Sequence, residues 1–251
     1  MTNEMLTLAI EMGRAMLKSG AEVARVEDTI TRICSAYGCD EINVFTITSS
    51  IVVTVRSPQG EMITQTRRVS FSAVNMTRLD KLNDLSRRIC TEKPEIASVR
   101  PEVEKILREP VYGFGMLCLA SAGAAASFTA FFGGNWQDMI VSALLGIVLR
   151  FCMSALEKVV SNNMFSNYVV ACMVGVLAIF SVRLGFGADY GKIIIGNIML
   201  LISGAAFFNS LRDIITGDMM AGILRLCEAV VLAVFIAAGV ATAMLLTGVG
   251  V

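Results

Sequence analysis

Histidine is absent from this 251-residue chain. Its absence removes a Ser-His-Asp or Cys-His catalytic pair, a histidine zinc site and any proton relay through imidazole. Proton chemistry here has to use carboxylates. The seven cysteines, at positions 34, 39, 90, 118, 152, 172 and 227, contain no CxxC spacing and are scattered along the chain. Neither a zinc knuckle nor a disulfide framework is indicated. No Gly-rich phosphate loop is present, and no metal or cofactor is expected. Glu4, Glu11, Arg14 and Lys18 interrupt the opening residues, so no cleavable signal peptide is visible there.

Charge is missing too, but from one half only. Fifteen of the 21 basic and fifteen of the 21 acidic residues precede Val111, while the 141 residues from Val111 to Val251 carry six of each. That second half consists of uncharged runs: Pro110–Gln137, Val159–Val182, Ile193–Leu211 and Ala229–Val251, of 28, 24, 19 and 23 residues. A fifth stretch, Met139–Leu156, is interrupted only by Arg150. A helix needs about 20 apolar residues to cross the hydrocarbon core. Backbone groups in lipid must be satisfied within the segment, and nothing here has the dyad alternation of a membrane barrel strand. A soluble helix of this length would show a polar face, and Ala229–Val251 offers only Thr242 and Thr247. The expectation is an α-helical polytopic membrane protein of about five transmembrane helices, near 111–132, 138–156, 164–184, 192–211 and 226–248. An N-terminal α/β cytoplasmic domain fills 1–110, and the membrane domain 111–251.

Loop charge sets the expected orientation. Arg100, Lys105 and Arg108 precede the first crossing, which places the N-terminus in the cytoplasm. Lys158, Arg212 and Arg225 then fall inside, Arg183 and Lys192 outside, and the C-terminus outside the cell membrane. Arg150 lies six residues from the end of its apolar stretch, about 9 Å, within snorkelling reach of the interface.

The first half has the periodicities of a folded domain. Met5, Leu8, Met12 and Met16 form one helical stripe. After Ser19-Gly20-Ala21-Glu22, a capping-box pattern, Val23, Val26, Ile30, Ile33 and Tyr37 form a second. Gly38 is placed to end that helix. Phe45, Ile47, Ile51, Val53 and Val55 share one parity and Thr46, Thr48, Ser50 and Thr54 the other, which predicts a half-buried strand. Pro58-Gln59-Gly60 turns into a β-rich stretch from Glu61 to Phe71. Thr77-x-x-Asp80 opens a helix with Leu79, Leu82, Leu85 and Ile89 inward, and a fourth helix from near Pro94 buries Ile96, Val99, Val103 and Ile106.

Two motifs carry a resemblance. Gly20-Ala21-Glu22-Val23-Ala24-Arg25-Val26-Glu27-Asp28-Thr29-Ile30, followed by the Thr/Ser-rich strand and Thr66-Arg67-Arg68-Val69, resembles the threonine/serine exporter family. So does Asn209-Ser210-Leu211-Arg212-Asp213-Ile214-Ile215-Thr216-Gly217-Asp218, continuing through Gly222 and Arg225 to Glu228-Ala229. The resemblance implies a cytoplasmic domain followed by membrane helices that export a small hydrophilic metabolite. Fused members carry about ten helices, so about five looks like the large subunit of the split type, partnered by a small, separately encoded membrane protein. The split type is associated with succinate and the fused type with threonine and serine, which leaves an amino acid and a dicarboxylate both open. Proton-gradient drive is the expected energy source. Family members commonly carry Pro-Gly in the middle of the fourth helix. Here the pair is Ser203-Gly204, which leaves a break at that point open.

The late charges point to transport on their own account. Ionisable groups at membrane depth are costly and tend to face a cavity or each other. Arg212, Asp213, Asp218, Arg225 and Glu228 cluster around the last two apolar runs, and Arg225 and Glu228, three apart, are expected to pair. Arginine is the natural anchor for a substrate carboxylate. Asp213, Asp218 and Glu228 are the candidates to carry a proton. Asn197 and Asn209 are candidates to hydrogen-bond substrate, or equally to join helices. Ser121–Ser127 reads as small-residue packing. In the N-terminal motif Glu22, Arg25, Glu27 and Asp28 form a charged helix face whose default is solvation. Thr46, Thr48, Ser49 and Ser50 suit ligand contact or plain strand formation.

The expected associates are the bilayer, a small-molecule substrate and the second subunit, with no nucleic acid. The competing class is a membrane-anchored enzyme or metabolite sensor acting through its cytoplasmic domain. One helix would suffice as a tether.

Overall fold

The computed structural model describes residues 2–69, 74–109, 112–160 and 162–249. In chain order its elements are α1 (Thr2–Lys18), α2 (Val23–Ala36), β1 (Asp40–Ile47), β2 (Ser50–Arg56), β3 (Met62–Arg68), α3 (Met76–Glu92) and α4 (Ile96–Arg108). Then come α5 (Phe114–Phe131), α6 (Trp136–Leu156), α7 (Asn163–Arg183), α8 (Tyr190–Ile198), α9 (Gly204–Thr216) and α10 (Met219–Thr247). They form two compact units, Met1–Val111 with Gly204–Leu226, and Tyr112–Ser203 with Cys227–Val251. The segment Gly204–Leu226, expected within the membrane half, therefore groups with the N-terminal residues. Pro110 and Val111, where the two halves were expected to meet, lie outside the described residues.

In the first unit the helical stripes are buried as the periodicity requires. Met5, Leu8, Met12 and Met16 of α1 meet Val23, Val26, Ile30 and Ile33 of α2, with Leu82 and Ile89 of α3 and Val99 and Val103 of α4 in the same core. A three-stranded antiparallel sheet, ordered β1-β2-β3, closes it. The expected single strand through 45–55 is instead a hairpin. Ile47 pairs with Ser50, so Thr48 and Ser49 are its two-residue turn. Such a turn pairs even positions of one strand with odd positions of the other, and Val44 faces Val53 while Thr46 faces Ile51. Inward residues are therefore Val44 and Thr46 on β1, and Phe45 is left 55% exposed. The β-rich stretch expected to reach Phe71 ends as a strand at Arg68; Phe71 itself lies outside the described residues. The Thr77-led helix is capped two residues earlier, by Asn75, whose side chain accepts from the Arg78 N–H at 2.9 Å.

In the second unit close helix approach depends on small residues. A Cβ on Gly146 would lie 2.7 Å from the Ser121 carbonyl and 3.0 Å from the Ala125 methyl, so α5 and α6 touch backbone to backbone along the small-residue run. Gly175 and Gly239 do the same between α7 and the later part of α10, where a Cβ would meet Ala243 at 2.6 Å and the Tyr168 carbonyl at 2.5 Å.

Four described helices, α5, α6, α7 and α10, are long and apolar enough to cross a membrane. The fifth expected crossing, 192–211, is not one helix. α8 stops at Ile198 and a new helix starts at Gly204. The last helical carbonyls of α8 are closed by short-range bonds, Leu200 N–H to Asn197 O at 3.1 Å and Leu201 N–H to Ile198 O at 2.9 Å, which tighten the chain out of α-helical register. Ser203-Gly204 thus stands at a break, without proline.

Candidate functional site

The two motifs singled out in the sequence lie against each other in the first unit. Gly20 ends α1 with φ +95°, a conformation that favours glycine. Its N–H reaches the Leu17 carbonyl at 3.2 Å and the Ala21 N–H the Met16 carbonyl at 3.0 Å. This turn leaves the carbonyls of Gly20 and Ala21 to find donors elsewhere. Asn209 Nδ2 donates to Gly20 O and Arg225 Nη2 to Ala21 O, both at 3.0 Å.

The start of α2 is held the same way. Glu22, at the N-cap, makes no side-chain capping bond, so the expected local capping box does not form. The cap comes from 190 residues away: Asp213 Oδ1 accepts the Val23 N–H at 3.3 Å. A carboxylate at a helix N-terminus also meets the positive end of the helix dipole. Arg225 Nη1 stands 3.1 Å from Asp213 Oδ2, with the two side chains 9% and 1% exposed. At the rim Arg212 donates to Glu22 Oε1 at 2.7 Å, with Arg25 3.9 Å from the same oxygen. Four side chains between 209 and 225 therefore grip one four-residue turn, Gly20–Val23.

Glycine makes the gripping hairpin possible. A Cβ on Gly222 would lie 2.5 Å from Ile214 Cγ1 and 2.8 Å from the Ser210 carbonyl, so α9 and the first turns of α10 meet only where a side chain is missing. Gly217, at φ +105°, makes the corner, and the Asp218 N–H closes it onto Asp213 O at 2.9 Å.

Burial pushes the Asp213 carboxyl above the usual aspartate range; the Arg225 charge and the Val23 N–H pull it back, and Asp218 and Glu22 push it further up. Glu27 is raised chiefly by burial, against the Thr46 N–H that it accepts at 2.7 Å, with Asp218 adding to the rise. Asp218 thus acts on both carboxylates. Asp28 stands apart, in an exposed pair with Arg32 at 2.8 Å.

The expected Arg225–Glu228 pair is replaced by Arg225–Asp213. Long side chains on a helix lean toward its N-terminus. From position 225 that lean carries the guanidinium back toward the Gly217 corner and away from Glu228, one turn further on. Glu228 belongs to the second unit and is exposed.

Asn197 is also in the second unit, fully buried on α8. Its Nδ2 donates to Ser142 Oγ at 2.8 Å and to Ile193 O at 3.0 Å. Ser142 in turn accepts from Thr129 Oγ1 at 2.6 Å and donates to Ala125 O at 3.2 Å. Asn197 Oδ1 is buried with no hydrogen-bond partner. Asn197 and Asn209 are thus far apart in role, one tying α8 to α6 and the other tying α9 to the Gly20 turn.

Sequence reasoning missed that the N-terminal motif is read largely through its backbone. Its signal was Gly20 itself, a helix-ending glycine inside a motif otherwise treated as a charged face. Among the described residues no group of three or more acidic or cysteine side chains is placed to hold a metal ion.

A mostly helical chain with four described helices long and apolar enough to cross a membrane, and a small three-stranded sheet, has the make-up of a helical membrane protein. A family model described as "Putative threonine/serine exporter" matches residues 7–247, and the chain belongs to that family. It is similar to a "Probable threonine/serine exporter" of Mycobacterium tuberculosis, at 25% identity over 98% of this chain and 46% of the relative. It is similar also to the "Threonine/serine exporter" of Corynebacterium glutamicum, at 27% identity over 94% of this chain and 50% of that one. The chain therefore spans about half the length of these two relatives. Against the "Probable succinate transporter subunit YjjP" of Klebsiella aerogenes the identity is 24%, over 96% of this chain and 93% of the relative. No solved structure gives a significant match.

Proposed function

We propose that this chain is the large subunit of a two-component exporter of a small hydrophilic carboxylate, either threonine/serine or a dicarboxylate such as succinate. It works in the cell membrane with its N-terminus in the cytoplasm. The observation that carries the reading is the match to 93% of a relative that is itself named a transporter subunit, within a family match that runs from residue 7 to 247. In this reading a small membrane subunit is the second component.

The geometry suggests how the cytoplasmic domain takes part. α10 contributes its first turns to the first unit and its remaining length to the second, so loosening the grip on the Gly20 turn frees one end of an apolar helix. Asp213 is the natural trigger. It is buried, its carboxyl is raised by that burial, and its charge holds Arg225. Protonation would release Arg225 from its ion pair and leave the guanidinium available to a substrate carboxylate. Asp218 and Glu228 are the alternative proton carriers.

The test is export from cells or liposomes containing this chain alone, the second subunit alone, or both. Export is expected only with both, and the two should copurify in mild detergent. Full export by this chain alone would defeat the two-component reading. Loss of gradient-driven export in Asp213→Asn, with substrate exchange retained, is expected if Asp213 carries the proton.

A further inference from the structure

The hairpin of α9 and the first turns of α10 divides its side chains between two faces. On α9 Asn209 and Asp213 reach the Gly20 turn, and on α10 Ala221 sits in the core of the first unit while Arg225 holds the Ala21 carbonyl. Two residues are about 200° of helix, so Leu211 and Ile215 on α9, and Met219 and Ile223 on α10, point to the opposite side. The same offset in both helices puts these residues on one outer face of the hairpin. Met220 and Leu224 extend it. All six side chains are exposed, Ile215 at 84% and Met220 at 68%.

Lipid tails do not account for this face. α10 has 29 residues, about 43 Å of helix, whereas the hydrocarbon core is about 30 Å thick, so about nine residues stand clear of it. Charge decides which end protrudes. Arg225 and Glu228 lie near the start of α10, and no charged residue follows before Val251, so Met219–Leu226 is the end outside the core. Gly222 packs against Ser210 and Ile214, which brings Leu211 and Ile215 of the antiparallel α9 to the same level. Together the six side chains leave on the order of 600 Å² of apolar surface open, the upper end for one patch on a monomer and most of the about 800 Å² that one partner gives a standard interface.

We propose that this face pairs with the same face of a second copy of the chain, about a two-fold axis along the membrane normal. Two copies inserted in one bilayer in the same orientation place equal residues at equal depth, so the patch meets a surface of its own area and chemistry. A partner of another sequence would have to supply a matching apolar face at that depth, which a second copy does by symmetry. No unpaired charge has to be buried. Arg212, the neighbouring cation on α9, is held by Glu22 at 2.7 Å, and Arg225 is turned inward to Asp213. The two methionines are unbranched and adapt to the facing surface.

The experiment measures the protein mass of the full chain in mild detergent by light scattering across a dilution series. A dimer is expected. Ile215→Asp and Met220→Asp should each raise its dissociation constant on the order of a hundredfold, because symmetry buries the new carboxylate twice in an apolar interface. Ile215→Ser should raise it by a smaller factor, and it carries the comparison if the aspartate variants fail to accumulate. Asp28→Ala, an exposed change on α2, should leave the dimer as it is. A monomer throughout the series overturns the proposal and leaves the face to lipid. A dimer that the variants do not weaken overturns it too, since that dimer uses another surface. So does a chain that is monomeric alone and binds the second subunit one to one, with that complex lost in Ile215→Asp, because the face then belongs to the second subunit. No export measurement enters, so the result stands apart from the exporter reading.

Discussion

The two buried polar clusters solve the same problem in opposite ways. In the first unit Asp213 and Arg225 keep full charges away from water by matching them to each other and to backbone groups of a sharp turn. In the second, Thr129, Ser142 and Asn197 are neutral and bond mostly to one another and to nearby carbonyls, leaving one amide oxygen unused. Breaking a buried charge pair strands a charge, whereas breaking a neutral hydrogen bond strands only a dipole. The charged cluster is therefore a latch whose release has large consequences, and the neutral one is a seam between helices.

Arg225→Met tests that contrast most severely. It should destabilise the protein by about 3–5 kcal/mol, because Asp213 is left buried without its cation. Chemical unfolding in detergent measures it, and the double variant Asp213→Leu, Arg225→Met should recover most of the loss. A single-variant cost below about 1 kcal/mol would erase the distinction between latch and seam. Gly222→Val should come next, at about 1–3 kcal/mol, since the new side chain collides with Ile214 and the Ser210 carbonyl. Asn197→Leu should cost about 1 kcal/mol or less. It removes two hydrogen bonds but also the unpartnered oxygen.

A smaller effect is a slope with pH. Because the folded Asp213 carboxyl lies above its ordinary value, its contribution to stability is complete below the ordinary aspartate range. The unfolded chain loses that proton first as pH rises, so stability should decline until folded Asp213 ionises as well. Asp213→Asn should flatten the decline in unfolding curves taken across that window. Asp28→Ala, which removes an exposed pair with Arg32, should leave the melting temperature unchanged within error.

Much of the fold was legible because it is periodic. The stripes of α1 to α4 state their burial directly in residue order, and the long apolar runs state where the long helices lie. What could not be read was set by tertiary geometry. The parity of Phe45 reversed because a two-residue turn fell at Thr48–Ser49 inside what looked like one strand. The partner of Arg225 was mistaken because spacing favours Glu228, while side-chain lean and the Gly217 corner favour Asp213. The residues that meet at the Gly20 turn were each singled out in the sequence, in separate motifs. That the N-terminal and late motifs lie against each other was not legible, since no local pattern links Val23 to a carboxylate 190 positions later.

The first unit is assembled from two pieces of chain with the whole of Tyr112–Ser203 between them. During synthesis the N-terminal piece emerges with Val23 uncapped and the carbonyls of Gly20 and Ala21 unanswered. At about 5–20 residues per second, its lock arrives on the order of ten seconds later. By then α5 to α8 have already left the ribosome. The domain can therefore finish folding only after the intervening helices have been made, which gives the protein a fixed order of assembly.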